Sequence, residues 1–198
     1  MLKRLVDIVI ATFLLLLLLP LFGLIALIIK ADSKGPVFFK QIRVGQNNID
    51  FKIWKFRTMF TDSEKHGQLT VGGRDPRVTS AGFFLRNYKL DELPQLINVL
   101  NGSMSLVGPR PEVRKYVNLY NAEQMKVLSV KPGITDYASI EYSDESELLS
   151  KSPEPEKTYV NDIMPAKLTL NLKYINEQSL FTDLKIIFNT VKKIILGR

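Results

Sequence analysis

The stretch IVIATFLLLLLLPLFGLIALII, residues 8–29, decides the architecture. Its 22 residues carry no formal charge, and 17 of them are Leu, Ile, Val or Phe. On an insertion scale such a run favours lipid by roughly 5–10 kcal/mol. As a straight helix it would measure roughly 33 Å, enough to cross the hydrocarbon core of a bilayer. A cleaved signal peptide would need a small-residue cleavage site after the run, and Lys30-Ala31-Asp32-Ser33-Lys34 is a poor one. Two readings remain, a transmembrane helix and a hairpin that enters and leaves by the same face. Basic residues flank both ends, Lys3 and Arg4 before the run and Lys30 and Lys34 after it, which fits both ends on the cytoplasmic side. Pro20 lies near the middle with Gly23 behind it, and an interior proline kinks a helix by removing a donor and crowding the carbonyl four residues back. The carbonyl freed near Leu16 would need a partner in lipid, and Thr12 and Asp7 are the nearest polar groups. The residues alone leave span and hairpin open.

The chain has 198 residues, room for one further domain with its own core. Charged residues make up 24%, so the remainder is not a polytopic membrane protein. The net charge of +7 is local. Residues 30–60 hold seven basic and two acidic side chains, residues 185–198 hold four basic and none acidic, and residues 143–162 are acidic. Such a balance suits an anionic membrane surface, a phosphorylated substrate or a nucleic acid. The acidic stretch would repel a phosphate backbone, which argues against nucleic acid. There is no cysteine, which excludes disulfides, a Cys-ligated zinc and a thiol nucleophile. His66 is the only histidine and sits in a polar, Gly-rich loop over residues 62–77. No Walker A motif, GxGxxG or metal-type His cluster is present.

Periodicity predicts two strands over residues 37–44 and 51–57, joined as a hairpin with one basic face. Helices are expected at 80–87, from about 93 to 101 with Pro94 in the first turn, at 112–130, at 166–177 and at 183–196. The last of these is amphipathic. Leu184, Ile187, Phe188, Val191, Ile194 and Ile195 share one face and Lys185, Asn189, Lys192 and Lys193 the other, so it either lies in the membrane interface or packs on its own domain.

Asp91-Glu92 is the pair expected to carry chemistry. At a helix N-terminus, free N–H groups and the helix dipole would keep a carboxylate ionised and therefore nucleophilic. Acidic residues in a first turn are usually only caps, but here the context is basic. Arg86 and Lys89 precede the pair, Lys55 and Arg57 end a strand, and Arg110 is held between two prolines. Basic side chains converging on carboxylates are what a phosphate substrate bound with Mg²⁺ would need.

The stretches KRLVD (3–7), GPVFFKQIRVG (35–45), FKIWKFRTM (51–59), DPRVT (75–79), LDELPQLINVL (90–100), MSLVGPRP (104–111) and KPGIT (131–135) occur in that order. With them the chain resembles the bacterial sugar transferases that act on polyprenyl phosphate, the small monotopic phosphoglycosyl transferases. The resemblance covers residues 1–135, and the part after Asp136 is variable.

It implies that Asp91 attacks the β-phosphate of a UDP-sugar, releases UMP and holds an aspartyl phosphosugar. Polyprenyl phosphate then takes this group to give a polyprenyl-diphosphate sugar. It also implies Mg²⁺ near Asp91 and Glu92. The basic context itself predicts phosphate contacts from Lys55, Arg57, Arg86 and Arg110, and leaves Glu92 to accept or relay a proton or to hold the metal. The membrane segment would be a re-entrant helix broken at a proline, which Pro20 matches, although Leu19 stands where the family often has Ser.

The expected fold is mainly α with a small β-hairpin. Residues 1–31 would form the re-entrant membrane helix–break–helix. Residues 32–198 would form one α/β catalytic domain with interfacial amphipathic helices, on the cytoplasmic face of the bacterial inner membrane. The expected partners are a UDP-sugar, polyprenyl phosphate and membrane lipids but no nucleic acid, with a homodimer left open. The alternative is an inactive, membrane-tethered scaffold of a glycan assembly complex. The Asp136-Tyr137-Ala138-Ser139 segment, read as an irregular loop, and the tail would help select the sugar.

Overall fold

The computed structural model describes residues 1–61, 63 and 75–196. His66 and most of the polar loop around it lie outside them. The described residues are mainly helical with two small sheets.

Helix α1 (Leu2–Asp32) is one 31-residue element with Pro20 inside it. A helix followed by a break was expected, but helical backbone continues through the proline, whose fixed φ is compatible with a helix. The element is long and apolar enough to cross a membrane. It nevertheless lies against the rest of the chain. Ile10, Ala11, Leu14, Leu15 and Leu18 pack on the core that includes Ile53, Leu96, Val99 and Tyr174. Leu21, Phe22, Ile25 and Ile29 pack on Phe56 and Leu85. Its other side is left bare, with Leu5, Phe13, Leu16, Leu17 and Leu27 all exposed.

Polar groups pin both ends of α1. At the start, Lys3 donates to the Val107 carbonyl at 3.1 Å and to Asp183 at 2.6 Å. Arg4 donates to the carbonyls of Val99 (2.5 Å) and Leu100 (3.0 Å), and Asp7 accepts from the Ser105 hydroxyl (2.8 Å) and the Leu106 N–H (3.2 Å). At the far end, the Arg57 guanidinium donates to the carbonyls of Ser33 (2.8 Å), Ile29 (3.4 Å) and Lys34. A cation at the C-terminus satisfies the last carbonyls and the negative end of the helix dipole.

Strands β1 (Phe38–Val44) and β2 (Asp50–Phe56) form the expected antiparallel hairpin, with Lys40 opposite Trp54 and Phe39 opposite Lys55. It does not have one basic face. Alternation puts Lys55 on the side of Phe51 and Ile53, and Lys52 on the side of Trp54, whose ring carries Lys40 at 3.7 Å.

Helix α2 (Ser80–Asn87) starts where Thr79 caps it, its hydroxyl accepting from the Gly82 N–H at 3.0 Å. A single tight turn over Leu90–Glu92 leads to α3 (Gln95–Asn101), which Gly102 ends at φ 89°. Asn98 ties α3 to the hairpin, accepting from the Trp54 N–H and donating to the Lys52 carbonyl, both at 2.9 Å.

Strand β3 (Ser105–Val107) pairs in parallel with β4 (Gly133–Thr135), a pair the sequence did not announce because three residues are too few for a pattern. The single helix expected over 112–130 is instead α4 (Arg114–Val117) and a separate turn at Gln124–Ser129. The side chains of Asn121 and Gln124 exchange 2.9 Å bonds with each other's N–H groups and restart the backbone.

Helix α5 (Tyr137–Glu141) precedes the acidic stretch, which contains α6 (Glu145–Ser150) and α7 (Pro155–Thr158). Helices α8 (Met164–Glu177) and α9 (Leu180–Leu196) close the chain. In α9 the buried residues are Asp183 and Ile186, while Leu184, Phe188, Val191 and Ile195 are exposed. Ile187 packs on the core, and the rest of the helix's apolar face is turned away from the domain.

Gly35 sits at φ +131°, and a methyl group there would lie 2.5 Å from an Arg57 guanidinium nitrogen. Gly35→Ala is expected to lower stability by about 1–3 kcal/mol by straining the backbone and unseating Arg57 from α1. Thermal unfolding of the detergent-solubilised chain measures this, and an unchanged midpoint would contradict it.

Candidate active site

The acidic pair is built on strain followed by helix. Lys89 adopts the left-handed conformation, φ 56°, which is unusual for a residue with a side chain. This reverses the chain after α2 and turns Asp91 and Glu92 inward, where both are buried. They occupy the turn ahead of α3 rather than its first turn, whose N-cap is Pro94.

Glu92 is saturated by cations. Lys55 of β2 donates to its Oε1 at 2.8 Å, and Arg110 donates to both oxygens, to Oε2 at 3.1 Å. This two-pronged geometry is the strong form of a guanidinium–carboxylate contact. Burial alone would raise the Glu92 pKa, but Arg110 and Lys55 overcome it and hold the carboxyl well below the usual range. Arg110 is itself fixed by its prolines and by its N–H, which reaches Asp136 at 3.3 Å.

Asp91 behaves in the opposite way. Among the described residues nothing donates a hydrogen bond to its carboxylate. Burial and the adjacent Glu92 charge push its pKa up, against the pull of Lys55, Arg86 and Lys89. The helix N-terminus was expected to keep this group easily ionised. Desolvation outweighs that effect and makes Asp91 the more basic of the two carboxylates.

Of the four expected phosphate-binding residues, Lys55 and Arg110 contact the pair directly. Arg86 lies in the field of Asp91 and donates to the Thr58 hydroxyl at 2.8 Å. Arg57 does not join them. Strand β2 ends at Phe56, and the next residue turns its guanidinium to the end of α1. Arg43 was missed. It sits beside Arg110 and holds Glu112 at 3.2 Å, while Glu112 also accepts from the Tyr159 hydroxyl. Asn98 was missed as well, although a polar side chain between Leu96 and Val99 on a buried helix was a legible signal.

The Asp136–Ser139 segment is not an irregular loop. The Asp136 carboxylate is fully buried and caps α5 by accepting from the Ser139 N–H at 2.6 Å.

Among the described residues no three acidic or histidine side chains cluster as a metal site. Mg²⁺ binds through one or two carboxylates, waters and substrate phosphates. The Asp91 carboxylate, without a hydrogen-bond donor of its own, fits that requirement. Glu92, with both oxygens taken by cations, fits it poorly.

The family model of the bacterial sugar transferases matches residues 1–197. The chain is 42% identical over 98% of its length to the UDP-glucose:undecaprenyl-phosphate glucose-1-phosphate transferase of Escherichia coli (strain K12), covering 40% of that protein. It is 42% identical over 99% of its length to the undecaprenyl-phosphate glucose phosphotransferase of Komagataeibacter xylinus, covering 36%. It is 38% identical over 98% of its length to the UDP-N-acetylgalactosamine-undecaprenyl-phosphate N-acetylgalactosaminephosphotransferase of Aeromonas hydrophila, covering 44%. The chain thus spans about two fifths of the length of these relatives.

The two carboxylates should affect stability with opposite signs. The depressed Glu92 pKa means that its contribution is present above its ordinary value of 4.5 and is lost as pH falls through the lower folded value. Glu92→Gln is expected to cost roughly 1–3 kcal/mol at neutral pH, because two half-buried cations lose their charged partner. The raised Asp91 pKa is a cost paid when the group is ionised, so Asp91→Asn should raise the unfolding midpoint at neutral pH. Denaturation of both variants across acid and neutral pH checks this, and a destabilised Asp91→Asn would refute it.

Proposed function

The chain belongs to the bacterial sugar transferase family, and from that premise we propose that it moves a sugar 1-phosphate from a UDP-sugar to polyprenyl phosphate. The observation that carries the reading is the split within the acidic pair. Asp91 is buried, basic and without a donor, beside a Glu92 whose charge is neutralised by Lys55 and Arg110.

An Asp91 oxygen attacks the β-phosphorus, and the bond from that phosphorus to the bridging oxygen breaks. UMP leaves with the electron pair, and the sugar phosphate remains on Asp91 as an acyl phosphate. A phosphate oxygen of the lipid then attacks the same phosphorus and displaces the carboxylate. Two steps spare the site from holding both anionic substrates at once.

Raised basicity makes Asp91 a stronger nucleophile. Arg86 and Lys89, whose charges act on Asp91, would stabilise charge developing on the phosphoryl oxygens, and Arg110 and Lys55 hold the turn through Glu92. Asp91 is the residue that would hold Mg²⁺, which when bound neutralises charge on the pyrophosphate. Glu92, held ionised by two cations, orients them rather than accepting a proton. Arg57 has a structural role in this reading.

We propose further that α1 is re-entrant. The argument is geometric. Its first two turns bond to Val99, Leu100, Ser105 and Leu106, and its last turn and C-cap bond to Arg57. Both partner sets belong to one body, joined through Asn98 and β2, and a spanning helix has its ends on opposite sides of the bilayer. The bare faces of α1 and α9 supply the lipid contact, and the domain lies on the cytoplasmic face, where nucleotide sugars are made.

Asp91→Asn should abolish UMP release in the presence of polyprenyl phosphate while leaving membrane association intact. Wild-type release by that variant would end the mechanism. Mass spectrometry of the wild type given a UDP-sugar alone should find a phosphosugar adduct on Asp91. A screen of UDP-sugars by the same release assay identifies the sugar. Thiol labelling of cysteines placed at Met1 and Ser33 should mark both from one face, and labelling from opposite faces would mean a span.

A further inference from the structure

The motifs around Arg4 and Lys131 have no part in the chemistry above, yet the fold brings them together. Gly102 ends α3 in the left-handed conformation, and a Cβ placed there would lie 3.5 Å from an Arg4 guanidinium nitrogen and 3.7 Å from the Lys131 ammonium. Two cations from segments far apart in sequence thus face one point. Arg4 spends two of its contacts on the α3 carbonyls and has N–H groups left over. Lys131 donates to no acceptor among the described residues. Asp7, the nearby acid, is engaged by Ser105 and the Leu106 N–H. Burial and the Arg4 charge also hold the Lys131 ammonium below its usual pKa, and the Asp7 carboxylate offsets this only in part.

The surroundings indicate where a compensating anion would come from. Leu2 and Leu5 flank Arg4 in the first turn of α1 and are 61% and 59% exposed, and Leu100 beside Gly102 is also exposed. The cation pair therefore sits at the edge of the apolar surface assigned above to lipid. It lies at the C-terminal end of α3, whereas Asp91 precedes the start of that helix, and the seven residues of α3, roughly 10 Å at a helical rise, separate it from the reacting centre.

We propose that Arg4 and Lys131 form a binding site for the phosphodiester headgroup of an anionic membrane phospholipid, distinct from the catalytic site. The two side chains grip the phosphate oxygens from either side of Gly102, whose missing side chain leaves the space. The bound headgroup fixes the depth and tilt of the first turn of α1 at the bilayer surface. The proposal rests on α1 lying in the membrane.

The test delivers the full chain from detergent to vesicles of phosphatidylcholine alone, or of phosphatidylcholine mixed with phosphatidylglycerol, and measures the captured fraction by flotation. The wild type should bind both and prefer the anionic vesicles. Lys131→Gln should keep the binding to phosphatidylcholine and lose about fivefold of the preference, and Lys131→Arg should restore it. Lys151→Gln, an equal change of net charge at an exposed residue of α6's end, should leave the preference unchanged. An equal loss from Lys151→Gln would show a diffuse charge effect and overturn the site, as would equal capture of wild type by both vesicles. Capture by neither would sink the membrane reading and the site together. Inorganic phosphate, compared with chloride at matched ionic strength, should leave the preference in place. If it removes the preference, the site takes soluble phosphate and the lipid assignment is wrong.

Discussion

Glu92 brings a full negative charge into the interior, and Lys55 and Arg110 make that tolerable. Taking a carboxylate out of water costs several kcal/mol, and only close, well-aligned cations offset it. The two cations come from opposite sides in sequence, Lys55 from the hairpin and Arg110 from the turn after β3. Their meeting at one carboxylate fixes the hairpin, the strained turn at Lys89 and the Pro109–Pro111 segment relative to one another. It also determines the character of Asp91. With the strongest cation contacts drawn to Glu92, Asp91 is left buried beside a negative charge and becomes more basic. One ion triad thus organises the acidic turn and leaves its neighbour the more basic carboxylate.

The same pattern of long basic side chains seeking oxygen recurs along α1. Arg4 takes the carbonyls at the end of α3, Arg57 takes those at the end of α1, and Lys3 bridges to Asp183 of α9. An apolar helix alone would have no preferred rotation or depth against its own domain. These polar clamps supply both, while the packed side of α1 is cored by small and aliphatic residues such as Ala11 and Ile25. Helix α1 and the acidic turn are connected by a short route, since α3 begins just after Asp91 and Glu92 and receives Arg4 at its end.

The sequence was legible where its signals were local and strong. The helix at 80–87, the end of α3 at Gly102 and the hairpin strands all appeared within a residue or two of expectation. Lys55, Arg110 and the acidic pair did converge. The failures share a cause. The helix expected over 112–130 broke because Asn121 and Gln124 satisfy each other's backbone. The β3–β4 pair went unseen because its stabilising partners lie 28 residues apart and each strand is three residues long. Arg57 looked equivalent to Lys55 by alternation, but the strand ends between them.

What the sequence alone determined is the lipid preference of residues 8–29, the caps and breaks of individual helices, and the family to which the motif order points. These follow from contiguous residues, whose hydropathy, φ restrictions and spacing do not depend on distant partners. Only the tertiary structure decided which cation serves Glu92 and which serves a helix end, that burial outweighs the helix N-terminus at Asp91, and that both ends of α1 return to one body. A long side chain can reach any oxygen within several ångströms, and which oxygen that is depends on segments brought close by the fold.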